Sequence, residues 1–182
     1  MAVTGSSTSL MQRVVGASRL DVATYEDVEA DTNATSQALT VVVAAAALAG
    51  IGGLLGSVLG TTSVGGNPIG ALIAGVVRAL LLWAVWSYVV FFVGTRLFKG
   101  TATYGELLRT LGFGYAPSAL GFLVFVPLVG PLLALVGGIW CLVTGFIGAR
   151  QALDISNGNT ALSLIVAILV AAIPFGIITS FI

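Results

Sequence analysis

The sequence predicts an all-α integral membrane protein: a bundle of five transmembrane helices preceded by a short, cytoplasmic helical segment. Three observations lead there. Only 8% of the 182 residues are charged and 58% are hydrophobic, whereas a soluble domain carries about 25% charged residues. Mean hydropathy is +1.10. The seven basic and seven acidic residues are gathered into a few groups, and the runs between them are long enough to cross a bilayer, which takes about 20 apolar residues. The composition excludes a soluble globular domain and a disordered chain, and the zero net charge excludes a basic nucleic-acid binder.

Residues 1–36 form the cytoplasmic N-terminal segment and 37–182 the membrane domain. The first apolar run starts too late for a signal-peptide core, so no signal peptide is expected. Within the segment, Leu10 to Leu20 places apolar residues at Leu10, Met11, Val14, Ala17 and Leu20 around Arg13 and Arg19. It is either an amphipathic helix on the membrane surface, its arginines near anionic headgroups, or a disordered tail. Thr24-Tyr-Glu-Asp27 is a weak cap for a short cytoplasmic helix, and Asn33 and Thr35 are candidate caps for span one.

Span one runs over about 39–59 and ends in the turn-rich Gly60-Thr-Thr-Ser-Val-Gly-Gly-Asn-Pro68. Span two runs over about 71–97. Span three runs over about 106–126, opened by Thr103-Tyr-Gly-Glu106, a capping box in which hydroxyl and carboxylate satisfy free N–H groups. Pro127-Leu-Val-Gly-Pro131 then breaks the apolar run. Span four covers about 132–150 and closes at Asn157-Gly158; span five covers about 161–181, with Thr160 as its cap and a kink at Pro174. Lysine and arginine in short loops set orientation. Arg13 and Arg19, then Arg96, Lys99 and Arg109, then Arg150 fall on one side of a five-span arrangement, and the uncharged turns fall on the other. The N-terminus is expected inside and the C-terminus outside.

Function classes narrow by absence. The sequence has no histidine and one cysteine, Cys141, so His-based catalysis, a zinc site and an internal disulfide are not expected, and neither is any cofactor. No Asp or Glu lies inside a span, which argues against proton coupling. Arg78 is the intramembrane charge; snorkelling to the outer interface is preferred over a buried site. Trp83, Trp86 and Tyr88 make a dense aromatic cluster that either lines a crevice or packs, with packing preferred. Gly52, Gly56 and Gly60 in span one and Gly137, Cys141 and Gly145 in span four form small-residue stripes. These let helix backbones approach closely, within the bundle or, less favoured, across a homodimer seam. Gly112-Phe-Gly-Tyr-Ala-Pro117 weakens span three; Gly112, Gly114, Tyr115 and Pro117 mark a kink first, and otherwise a hinge or a ligand-facing break.

At this segment the sequence resembles the Yip domain family of polytopic membrane proteins. Phe113-Gly-Tyr-Ala116 with Pro117 is similar to the family's third-span pattern, and Pro127 to Pro131 to the turn that follows it. Trp140 and Gly145 in span four, the polar turn Ser156-Asn-Gly-Asn-Thr160 and the stretch Tyr25 to Gln37 also match. The resemblance implies five spans and a cytoplasmic N-terminus. Eukaryotic relatives associate with Rab GTPases and with one another. This chain lacks their Asp-Leu-Tyr-Gly-Pro motif, having Gly66-Asn-Pro68 near that place. It resembles the prokaryotic branch, in the cytoplasmic membrane, where a Rab-type GTPase partner is not assumed. The expected function is a non-enzymatic scaffold or accessory subunit, working in the lipid bilayer through a membrane-protein partner or self-association. The alternative is a small permease or lipid-handling protein using the broken third span.

Overall fold

The computed structural model describes the backbone of residues 9–180 and the side chains of residues 9–170. Its order is α1 (Leu10–Ser18), α2 (Val22–Ala30), α3 (Ala34–Val58), α4 (Pro68–Phe98), α5 (Tyr104–Gly114), a 3-10 helix (Ala116–Phe125), α6 (Val129–Leu153) and α7 (Asn157–Ser180). Among the described residues there is no strand. Four stretches are long and apolar enough to cross a membrane: α3, α4, α5 with the 3-10 helix, and α6. The apolar part of α7 described with its side chains, Asn157–Val170, is shorter. The molecule is a helical membrane bundle.

Local chemistry explains most boundaries. α4 starts where the Asn67 side chain accepts from the N–H of Ile69 at 3.0 Å, with Pro68 in the first helical turn, where its missing N–H costs nothing. α5 opens on the expected capping box: Thr103 Oγ1 accepts from the Glu106 N–H at 3.3 Å and Glu106 Oε2 from the Thr103 N–H at 2.8 Å. α4 and α6 end on Lys99 and Asp154 in the left-handed region.

Three local expectations are corrected. Asn157-Gly158 does not close span four; α6 ends at Leu153 and both residues lie in the first turn of α7. Thr160 is no cap, because Ser156 takes that part: its Oγ accepts from Asn159 N–H at 3.3 Å and its carbonyl from Thr160 N–H at 2.9 Å. Thr24 does not open α2; the helix begins at Val22, and the Thr24 hydroxyl donates to the Asp21 carboxylate at 2.6 Å. Asn33 sits at the N-cap position of α3 without a side-chain cap bond, and Thr35 lies inside the first turn. The expected Pro174 kink lies outside the described side chains.

The 3-10 helix packs between α3 and α6, while α4 packs on α3, α5 and α7, and α2 on α5 and α6. The end of the bundle near the α1–α2 hairpin holds a core of Val90, Leu107, Leu111, Ala149 and Leu153.

Candidate functional site

The broken third span is a change of helix type. α5 stops at Gly114, and the chain continues as a 3-10 helix from Ala116, since Pro117 has no N–H with which to continue the α-helical ladder. The change strands carbonyls at mid-span, which in lipid must find partners within the protein. The Thr144 hydroxyl of α6 donates to the Gly114 carbonyl at 2.6 Å, and the Tyr115 carbonyl accepts from the Ser118 N–H at 3.1 Å and the Ser118 hydroxyl at 2.8 Å, with the Cys141 thiol 3.6 Å away. The glycines are there for contact. A Cβ on Gly112 would meet Ala38 at 2.7 Å and the Trp83 ring at 3.2 Å; one on Gly114 would meet the Gly145 backbone at 3.3 Å. Trp83 in turn donates its indole N–H to the Leu108 carbonyl at 3.1 Å.

The small-residue stripes face this segment. A Cβ on Gly52 would run into the Phe122 carbonyl, and one on Gly137 would stand 2.6 Å from the Pro117 carbonyl. Gly56 abuts the hydroxyls of Thr61 and Thr62, and Gly60 turns the chain with φ +72°. At Gly145 the nearest atom, Leu111 Cδ2, is 3.7 Å from an added Cβ, an ordinary contact. The geometry of Gly52 and Gly137 is therefore internal packing around the 3-10 helix.

Two cavities share the walls Leu82 and Tyr115. One, of about 490 Å³, lies among α4, α5, α6 and α7 and is lined by Trp83, Trp86, Cys141, Phe146 and Ile165. Trp83 and Trp86 thus both pack and line a cavity. Tyr88 is exposed, and its ring meets that of Tyr104 edge-on at 5.8 Å between centroids. The other cavity, of about 460 Å³, lies between α3 and α4. Arg78 stands on its wall and is exposed.

At the opposite end sits a feature that sequence reasoning missed. α1 is a helix and not a disordered tail, and of the segment's two arginines only Arg19 is exposed. Ser9 and Gln12 cap it reciprocally, and it folds back on α2 so closely that Gly16 lies against Thr24. Arg13 turns inward, its side chain 4% exposed, and its guanidinium pairs with Asp27 and Asp31 at 2.8 Å each. It also donates to Gln37 Oε1 at 3.0 Å. The ion pair forms because burial of a guanidinium is tolerated only with its charge and donors met.

The hairpin is anchored to the bundle by four further contacts. The Tyr25 hydroxyl reaches the carbonyls of Ala17 and Thr144, both at 3.1 Å. The Trp140 indole N–H donates to the Ser18 carbonyl at 2.8 Å. Arg109 donates to the Val28 carbonyl at 3.1 Å and closely to that of Glu29, closing the end of α2. A notch of about 280 Å³ beside it is lined by Glu26, Glu29, Glu106 and Asp154. Burial, and then the charges of Glu106 and Asp154, push the Glu29 carboxyl above its ordinary range. Asp31 sits below its range, chiefly because it accepts from Arg13 and from the Asn33 N–H. Among the described residues no cluster of His, Cys, Asp and Glu has the geometry to hold a metal ion.

A family model described as the Yip1 domain matches residues 22–178. No curated protein and no solved structure matches the chain.

Proposed function

The chain belongs to the Yip1 domain family, and from that premise we propose that it is a non-enzymatic, multi-pass scaffold or accessory subunit that acts by holding a membrane-protein partner or a second copy of itself. One observation carries this reading. The α1–α2 hairpin is fixed to α5 and α6 by Tyr25, Trp140 and Arg109. That gives the bundle a rigid face at the end where the basic loops lie, and a preorganised face loses little entropy when a partner docks. A Rab-type GTPase is not required by it.

The same reading takes the hairpin face as cytoplasmic, the chain as five-spanning over 37–182 after a 1–36 segment, and the membrane as a prokaryotic cytoplasmic membrane. Basic residues on the hairpin, the Arg96–Lys99 loop and Arg150 support this orientation. Two experiments test it. A photo-cross-linking residue at the exposed Glu26, followed by mild-detergent purification from native membrane, should capture a reproducible protein; a strictly monomeric, partner-free chain overturns the reading. In a Cys141→Ser background, Ser9→Cys should label from inside and Thr61→Cys from outside.

A further inference from the structure

We propose that the crevice between α3 and α4 binds the phosphate group of an anionic phospholipid, drawn from the leaflet on the side of the Gly60–Pro68 turn, with Arg78 as its cation. The inference is independent of the scaffold reading.

The crevice exists because both helices present small residues to it. Ala46, Ala49 and Gly53 of α3 face Gly75 and Ala79 of α4, leaving about 460 Å³ between them. A Cβ on Gly53 or Gly75 would meet nothing within 4 Å. Val64, on the turn, lines the crevice at one end, and Tyr115, where α5 gives way to the 3-10 helix, lines it at mid-span.

Arg78 sits at the depth such a ligand needs. α4 has 31 residues, so it is about 46 Å long against a hydrocarbon thickness of about 30 Å. Centred in the bilayer, it projects roughly 8 Å at each end. Arg78 lies ten residues after Pro68, about 15 Å along the axis and so about 7 Å inside the hydrocarbon. A guanidinium on its long stem reaches back from there towards the phosphate layer. An intramembrane arginine is stabilised by drawing a headgroup down to it.

The chemistry favours phosphate. Among the described residues of the lining, Arg78 is the charged one, and no carboxylate side chain accompanies it there. A guanidinium offers five donors in a rigid fork that matches phosphate oxygens bidentately, so it can hold a phosphate while also engaging its own chain. Below it, Leu82 and Tyr115 give an apolar floor for the first carbons of an acyl chain.

The test uses the full chain in nanodiscs of phosphatidylcholine with and without phosphatidylglycerol, released gently and weighed by native mass spectrometry. The wild type should retain phosphatidylglycerol and not phosphatidylcholine. Arg78→Gln should weaken retention about tenfold, the loss of a charge-assisted contact. Gly75→Leu keeps the arginine and fills the crevice, and it should weaken retention as well. Its Cβ has no neighbour within 4 Å and the rest of its side chain enters the crevice, so it carries the test if Arg78→Gln fails to fold. Equal retention by the wild type and a folded variant overturns the proposal. So does equal retention of both lipids. If millimolar inorganic phosphate displaces the lipid, the site is one for a free anion and the lipid assignment is wrong.

Discussion

The hydroxyl of Tyr25 donates to the carbonyl of Thr144 over 3.1 Å, joining residues 119 positions apart. Both are fully buried. The same hydroxyl also lies 3.1 Å from the Ala17 carbonyl, so one phenol ties α1, α2 and α6 together. Tyr25→Phe keeps the ring in place against Gly148 and removes the hydroxyl's bonds to both carbonyls, while the Ala17 carbonyl keeps the Leu20 N–H. It should cost about 1–2 kcal/mol of hairpin docking. Amide exchange across residues 10–30 checks this: protection should fall there and stay unchanged in α3 and α4.

Gly52 and Gly137 are two of the positions where α3 and α6 touch the 3-10 helix backbone to backbone. Backbone cannot step aside as a flexible side chain can. Gly52→Ala and Gly137→Ala should each destabilise by about 1–3 kcal/mol through overpacking. Their neighbours are the controls. A Cβ on Gly53 or Gly138 meets nothing within 4 Å, so alanine there should be neutral or mildly stabilising, because glycine weakens a helix. Thermal melting in one detergent distinguishes the pairs.

Arg13 joins Asp27 and Asp31, and the two carboxylates are 41% and 30% exposed while the arginine side chain is 4% exposed. Arg13→Gln removes the charge from the buried side. The partial exposure of the acids limits the loss to about 1–3 kcal/mol. Adding Asp27→Asn and Asp31→Asn should recover part of it, as the unpaired charges then vanish. The rate of proteolysis near residue 20 in nanodiscs gives the coupling.

Two carboxyls make hairpin docking respond to pH in opposite senses. Asp31 has a depressed folded pKa, so its contribution is present above the ordinary aspartate value and is lost as pH falls through the depressed one. Glu29 has a raised folded pKa. Its contribution is complete below the ordinary glutamate value and is lost as pH rises through the raised one. Glu29 is faced by Glu26 on its own helix, Glu106 and Arg109 on α5, and Asp154 after α6. Docking should therefore tighten on mild acidification and loosen again in strong acid. Mobility of a nitroxide at the exposed Val22 should trace a minimum between those limits, and Glu29→Gln should flatten its neutral side.

The long apolar helices were legible because hydropathy is summed over some twenty residues and no single contact decides it. The capping box at Thr103 was legible because both partners sit within one turn. The weakness at Gly112–Pro117 was legible too, but its outcome was not. The 3-10 helix is accommodated there because Thr144, 30 residues on, supplies a donor to the Gly114 carbonyl. The inward turn of Arg13 was hidden for the same reason, since Asp27 is 14 residues away. At Ser156 the failure was smaller: the cap lay four residues before Thr160, and the Asn-Gly pair drew attention as a turn. Arg78 was legible as a charge, and the crevice around it was not, because it depends on which small residues of α3 face those of α4.

A 3-10 helix advances about 2.0 Å per residue and returns to the same bearing every three residues. In Ala116–Phe125, Pro117, Leu120 and Leu123 lie along α6, while Gly121 and Phe122 border α3 and Phe125 the turn that follows it. Such a rod has a threefold register. Inserting or deleting one triplet changes its length by about 6 Å and returns each side to its original neighbour, whereas a single-residue change rotates all of them by a third of a turn. The third span is thus the part of the bundle whose reach can be altered in discrete steps to match a thicker or thinner bilayer, with its two seams kept in phase.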